Sequence, residues 1–252
     1  MKEKQLSQKQ IISKTIFSFV FFIIALGIGV FSWLWLRKQP GDGGLLGGIP
    51  TPLRKGLQTN ESLFSAVYSP LKLARTYPKS EAVKNVRVNG DVGMNKDFDA
   101  STWKLGIVKT NGDTVYFSMD DIKKVPKTEV VFDFKCIEGW DQKTWWGGVK
   151  FSDFIKYYHL EQESALKYAS LKTPDEEYYV GIDMPSIMHP QTLLCYEMNG
   201  KPLPMNQGYP LRLIIPVKYG IKHLKRIGTI AFSNDRPADY WAERGYDYYS
   251  GH

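Results

Sequence analysis

The stretch from Val131 to Trp146, VFDFKCIEGWDQKTWW, sets a thiol where it can do chemistry. Val131, Phe132 and Phe134 alternate in the manner of a half-buried strand, and Cys136 closes that strand where Glu138, Gly139 and Trp140 break the pattern. Lys135 next to it favours the thiolate, the form that binds metals or attacks electrophiles. Two readings stay open on these residues alone. One is a reactive or metal-binding thiol; the other is an inert buried cysteine, because free cysteine is among the most buried residue types.

A second informative block runs from Asn199 to Arg226, NGKPLPMNQGYPLRLIIPVKYGIKHLKR. Gly200, Pro202, Pro204, Gly208 and Pro210 describe a turn-rich loop that delivers Arg212 into the apolar strand Leu211 to Ile215. A guanidinium there is costly unless it is paired or wet. Lys218, Lys222, His223, Lys225 and Arg226 follow closely. Cations converging from a loop and two strand ends suit a phosphate, and glycine turns can add backbone N–H groups. An ordinary basic surface has the same composition.

Other candidates carry less. His189 at a helix-to-strand junction has no neighbours at metal-ligand spacing and reads as structural. His159 sits at a helix end, where a cation is favourable. Trp140, Trp145 and Trp146 could wall a pocket or fill the core, with core the expectation for two of them. Glu138 and Asp141 read as solvated loop carboxylates or proton handlers. The aromatic run Tyr240 to Tyr249 fits a pocket cover or a partner surface equally. Cys195 is the other cysteine. No CxxC occurs, so a zinc site of common spacing is disfavoured, while a Cys136–Cys195 disulfide remains open on count.

These residues need elements to hold them. Strand-like runs are Lys84 to Val88, Lys104 to Val108, Thr114 to Phe117, Tyr168 to Leu171, Leu193 to Met198, Leu211 to Ile215 and Gly228 to Phe232. Asn111-Gly112 predicts a hairpin between the second and third. Ser118 with Asp121 predicts a short helix stopped by Pro126, and Ser152 a helix through Tyr158. Many strands with few short helices give an α+β, mainly β domain. GxGxxG and P-loop patterns are lacking, which removes the simplest nucleotide readings.

Thr15 to Leu36 carries no charge. At about 1.5 Å per residue it crosses a hydrocarbon core of roughly 30 Å, and Trp33 and Trp35 sit where interfacial aromatics belong. A signal peptide would have a shorter apolar core and a small-residue cleavage site. The reading is a tail over 1–14, a transmembrane helix over 15–36, a flexible glycine-rich linker over 37–59 and a soluble domain over 60–252. Lys2, Lys4, Lys9 and Lys14 before the span nearly balance Arg37, Lys38, Arg54 and Lys55 after it, so charge does not orient it. A twin-arginine signal does not precede it. The net charge of +7 is spread among acids, so nucleic acid is not an expected partner.

FKCIEGW, HPQTLLCYEMNGKPLP, GYPLRLIIPVKYGIKHLKRI and RPADYWAERGY, in this order, resemble the molybdopterin-binding domain of the sulfite oxidase family, in particular the bacterial branch that contains the catalytic subunit of protein-methionine-sulfoxide reductase. The resemblance covers roughly residues 60–246. It implies a single sulfite-oxidase-type domain behind the transmembrane helix, with molybdenum-molybdopterin as cofactor. Cys136 would be the metal ligand and catalytic thiolate, in keeping with soft-ligand preferences. Carried over residue by residue, Asn60, Ser170, Gln207, Arg212, His223, Leu224 and Lys225 would contact the cofactor. Thr173 competes with Ser170, and Gln207 stands where the branch has asparagine. Lys135 replaces a frequent arginine and loses bidentate geometry, which weakens the case for sulfite or another oxyanion as substrate.

The implied reaction is oxygen-atom transfer or a related two-electron step on a small-molecule or protein-sulfoxide substrate. The chain is expected to lack the dimerisation domain of sulfite oxidases and any cytochrome-type haem motif. Electrons would then pass through a separate partner, a membrane haem or quinone-linked protein. The implied location is the bacterial inner membrane with the domain on the periplasmic side. The rival functions are a thiol enzyme with Cys136 as nucleophile, which needs a nearby base, and a non-catalytic anchored binding module of the same fold.

Overall fold

In a computed structural model the described residues are 7–43, 48–67, 69 and 72–252. They fall into two compact units, Met1–Gly56 and Leu57–His252.

The first unit is dominated by α1 (Gln8–Arg37). Ser7 caps it, its hydroxyl accepting from Gln10 N while the Gln10 side chain returns to Ser7 N. This capping box starts the helix well before the uncharged run, at Gln8 rather than Thr15. None of its residues is buried, and α1 is long and apolar enough to cross a membrane.

The expected flexible linker is more ordered than its glycines suggest. Gly41 bridges to Pro50, Asp42 N donates to Ile49 O at 3.0 Å, and Arg54 Nε pairs with Asp42 at 2.5 Å. Thr51 then opens α2 (Thr51–Val67), inside the span read as linker. Residues 44–47 of the glycine run lie outside the described residues.

The second unit is built on two sheets. The first contains β1 (Leu105–Val108) and β2 (Thr114–Phe117), joined around Asn111-Gly112 as predicted. The helix α3 (Met119–Lys123) follows, with Ser118 and Asp121 forming its capping box. Next come the long hairpin strands β3 (Lys127–Lys135) and β4 (Asp141–Lys150), then α4 (Phe151–Tyr157) and α5 (Glu161–Ser164). The chain continues through β5 (Tyr168–Lys172), β6 (Tyr179–Asp183), α6 (Met184–Ile187), β7 (Leu193–Met198), β8 (Lys201–Pro202), β9 (Arg212–Ile214) and β10 (Thr229–Ser233).

One sheet runs β2-β1-β10-β5-β6, with β1 and β10 parallel; the other runs β3-β4-β7-β8, with β9 on β7. Alternation along β7 sends Leu194 and Tyr196 to the larger core and Leu193 and Cys195 to a smaller one with Val130, Phe132, Trp146 and Ile214. The sheet that carries Cys136 and Arg212 is therefore buried on both faces, which fixes its register firmly.

Two sequence expectations change, and one strand is added. Lys84 to Val88 is not a strand, because side chains take its carbonyls: Asn199 donates to Val83 O and Lys84 O, and Gln207 to Val86 O and Arg87 O. Ser152 lies inside α4, whose N-cap is Lys150. The Trp-rich run after Cys136 is the strand β4, masked in sequence by Gly147-Gly148. A Cβ on Gly148 would stand 2.2 Å from Leu194 O, so glycine is what lets β7 pair there, at a bulge.

Candidate active site

Lys135 pairs with Asp141, so Cys136 to Trp140 form the loop of the β3–β4 hairpin. Cys136 N donates to Trp140 O at 2.8 Å, Gly139 N donates to Cys136 O at 3.1 Å, and Gly139 turns with φ +86. The strand's alternation sends Phe134 and Cys136 into one cavity and Asp133 and Lys135 into another on the opposite face. Lys135 therefore does not activate the thiol. Burial pushes the Cys136 thiol up, and the Glu138 carboxylate adds to the rise. Cys136 and Cys195 are both free, so they share no disulfide.

The cavity holding Cys136 spans about 980 Å³ with its open mouth. Arg212 enters it from β9, brought there by pairing with Cys195 of β7. Its Nη1 donates to Gln207 Oε1 at 2.8 Å and Gln207 O at 3.1 Å, and its Nη2 to His223 O at 3.4 Å. The guanidinium lies 4.7 Å from the Trp146 ring centroid. Its Nε is buried without a hydrogen-bond partner, and no carboxylate pairs with it among the described residues. Burial lowers its pKa to about 10, which leaves it charged at neutral pH.

Lys225 reaches the same cavity and donates to Asn89 O at 2.6 Å and to Gly90 O. Burial first, and Arg212 second, lower its pKa to about 8. At the mouth, Arg87 lies 4.7 Å from the Trp140 ring centroid, beside Ile137, Trp241 and Tyr246. Glu138 accepts from Trp140 Nε1 at 3.0 Å, a bond that holds its carboxyl below the usual range.

Five residues marked in the sequence thus meet on one cavity: Cys136, Gln207, Arg212, His223 and Lys225. His223 lines it as a ring only. Its Nδ1 accepts from Ile215 N at 3.4 Å and its Nε2 faces Lys218 O at 3.1 Å, so neither nitrogen is offered to a ligand. Burial and Arg212 lower its pKa to about 3, so the ring is neutral. Leu224 points into the larger core. Ser170 sits in the other sheet, between Ala231 and Gly181. Thr173 shapes a turn, donating to Asp175 Oδ1 at 2.6 Å and accepting from Tyr178 N at 3.1 Å, and this turn delivers Tyr178 to the cavity. Asn60 lies on the exposed side of α2 and does not line the cavity.

Asn89, which the sequence reading did not single out, lines the cavity. Its side-chain nitrogen lies 3.4 Å from Cys136 Sγ. Nothing in the sequence near Asn89 signals that the irregular segment 84–88 carries it to the hairpin loop. Of Trp140, Trp145 and Trp146, the first and last line the cavity, and Trp146 is also fully buried in the smaller core.

The donor set fits a soft metal carried by an anionic organic group. It offers one soft sulfur, two cations with no carboxylate ion-pair partner among the described residues and one mouth cation against a single carboxylate. No cluster of three or more His, Cys, Asp or Glu occurs among the described residues, so a metal here would bring most of its own ligands.

Residues 91–241 match the family model described as the oxidoreductase molybdopterin binding domain. YedZ1 of Azospira oryzae, whose name assigns it to a protein-methionine-sulfoxide reductase, is 30% identical over 73% of this chain and 70% of its own. The protein-methionine-sulfoxide reductase catalytic subunit MsrP of Campylobacter jejuni is 32% identical over 60% of this chain and 55% of its own. The mitochondrial sulfite oxidase of Rattus norvegicus is 27% identical over 61% of this chain and 33% of its own. The chain thus spans about half or less of the latter two relatives. It belongs to the sulfite oxidase family of molybdenum-dependent oxidoreductases, defined by this molybdopterin-binding domain.

Proposed function

We propose that this chain is a membrane-anchored molybdopterin enzyme that reduces S-oxides by oxygen-atom transfer, with the Cys136 thiolate as protein ligand to molybdenum. The single observation that carries this reading is the sharing of one cavity by Cys136 and the carboxylate-free Arg212 guanidinium. A protonated, desolvated thiol is a poor nucleophile, but a coordinated metal cation deprotonates it outright.

Arg212, Lys225 and Gln207 would hold the cofactor's phosphate, with the Arg212 guanidinium supplying a charge that no carboxylate pairs with among the described residues. His223 would serve through its backbone, its O steadying the guanidinium. Asn89 would orient the sulfur. Bound molybdenum supplies the two-electron exchange; the chain supplies placement, charge and access. The overall reaction takes up a sulfoxide, a pair of electrons and a pair of protons, and releases the thioether and water. Glu138, held ionised beside Cys136, is positioned to pass protons at Oε2.

The aromatic mouth of Trp140, Trp241 and Tyr246 suits a thioether-bearing substrate, since sulfur packs favourably on aromatic rings. This favours a protein or small-molecule sulfoxide over sulfite, and protein methionine sulfoxide is the substrate in the name of MsrP. Electrons would come from a separate membrane haem or quinone-linked protein. With α1 as a single-pass anchor in the bacterial inner membrane, the domain would occupy the periplasmic side.

A thiol-nucleophile enzyme is disfavoured, because the imidazole that lines the cavity, His223, has both nitrogens engaged. The test is metal and pterin analysis of the purified chain with Cys136→Ser alongside. Molybdenum should be present in the parent and lost or loosely held in the variant. Equal molybdenum content and turnover in both would overturn the assignment.

A further inference from the structure

Behind the strand that leads to Cys136, within the second unit, lies the other cavity, of about 990 Å³ with its open mouth. Phe132, Val217, Tyr249 and Leu73 give it apolar walls. Lys72, Arg75 and Lys135 are its lysine and arginine groups, and Asp133 is the one carboxylate side chain among the described residues that line it. That carboxylate is already engaged, since the Tyr77 hydroxyl donates to its Oδ2 at 2.5 Å. Neither Arg75 nor Lys135 forms an ion pair among the described residues. The alternation of β3 turns Lys135 toward this cavity and away from Cys136.

Three elements that line the Cys136 cavity also build this one, so it is a formed pocket rather than a dent between side chains. The strand β3 gives Phe134 to the first and Phe132 and Lys135 to the second. The segment after β9 gives Gly220 and Ile221 to the first and Pro216 and Val217 to the second. Its turn is closed by Lys218 N, which donates to Ile215 O at 3.0 Å. The C-terminal segment gives Trp241 and Tyr246 to the first and Tyr249 and Gly251 to the second. It is pinned by Tyr219 N, which donates to Ser250 O at 2.9 Å, and by the Lys218–Gly251 bridge. A preformed, mostly apolar cavity with a few convergent polar groups is where small molecules bind.

We infer that this cavity is a second binding site, for a small molecule with an apolar body and one oxyanionic group. The body lies against Phe132, Val217 and Tyr249, and the anion meets Lys135 and Arg75. An oxyanion takes charge-assisted hydrogen bonds from both side chains, and the apolar body gains by leaving water for aromatic and aliphatic walls. A cationic guest would face the unpaired lysine and arginine charges, with a carboxylate that Tyr77 already holds. The inference is independent of the molybdenum reading, because none of the residues assigned to the cofactor lines this cavity. A bound molecule would bridge β3 to the C-terminal segment.

The test is equilibrium dialysis of the full chain in phosphatidylcholine nanodiscs at neutral pH, with empty discs as the blank. The probe is 2-naphthoate; 2-naphthamide keeps the body without the charge, and acetate keeps the anion without the body. The inference expects saturable binding of 2-naphthoate, with the amide and acetate each weaker by about tenfold or more, the scale of one charge-assisted hydrogen bond or one desolvated ring. Lys135→Met and Arg75→Gln, at side chains that are not fully buried, should each weaken 2-naphthoate by roughly tenfold, while Lys225→Met in the first cavity should not. This pattern in a chain that carries no molybdenum would uphold the inference while the cofactor reading fails. No saturable binding, equal affinity for the amide, or equal affinity in Lys135→Met and Arg75→Gln would overturn it. Acetate binding as tightly as 2-naphthoate would leave only an ion on a basic surface and overturn it too. Loss of binding in Lys225→Met with Lys135→Met unchanged would put the probe in the Cys136 cavity and overturn the second site.

Discussion

The side-chain amide of Asn89 donates to the sulfur of Cys136 across 3.4 Å, joining an irregular segment to the tip of the β3–β4 hairpin. The same amide lies 3.4 Å from Glu138 Oε2, so one side chain touches both polar groups of the hairpin loop. An amide donor favours thiolate over thiol, opposing the burial that raises Cys136.

Replacing Asn89 with alanine is expected to weaken metal retention or turnover by about 10–100-fold, the usual effect of losing a partner that orients a ligand. Asn60→Ala should be indistinguishable from the parent, since Asn60 sits on the exposed side of α2. Molybdenum content and sulfoxide reduction by the two variants separate the positions, and the opposite ranking would restore Asn60.

Arg212→Lys keeps the charge but loses the planar fork that grips Gln207 and lies over the Trp146 ring. Charge-assisted hydrogen bonds are worth about 1.5–3 kcal/mol, so pterin retention should fall by roughly 10–100-fold. The readout is fluorescence of the oxidised pterin released from equal amounts of protein. Full retention would mean that Arg212 only braces Trp146 and Gln207.

Lys225 and Lys218 both have pKa values lowered to about 8 by burial. A lysine depressed on folding leaves the unfolded chain holding more protons between about pH 8 and its ordinary value. Without cofactor, stability should therefore rise with pH across that window. Anion binding has the opposite sign, because Lys225 must be protonated to hold a phosphate. Denaturant titrations of cofactor-free protein at pH 7 and 9.5 should show the rise, smaller in Lys225→Met, while cofactor retention declines over the same range. A flat profile in both would mean that Lys225 is not buried as a cation.

Much of this site was legible because its chemistry is local. Cys136 at a strand end and Arg212 after a proline turn are signals carried by neighbouring residues. What failed was long-range. The activating role given to Lys135 assumed that adjacency means proximity, whereas a strand sends consecutive side chains to opposite faces. Asn60 was chosen by position along the chain, and only the packing of Val86 into the smaller core shows why Asn89 reaches the sulfur. The strand β4 was hidden because Gly147-Gly148 looks like a break, while the contact that demands glycine comes from β7.

The separation of Lys135 from the cavity gives a last test, of substrate class. If substrate oxygen were gripped by the residue before the cysteine, Lys135→Ala would raise KM strongly. The side chain instead lines the opposite cavity with Phe132 and Asp133. Lys135→Ala should therefore leave KM and kcat within about twofold, as surface substitutions away from a site usually do. Arg87→Ala removes the one cation at the mouth among the described residues and uncovers Trp140. A mouth group that contacts substrate alike in ground and transition states changes KM more than kcat. Steady-state kinetics with a methionine-sulfoxide peptide should show that split for Arg87→Ala. A large KM effect confined to Lys135→Ala would show that substrate enters by the other face of β3.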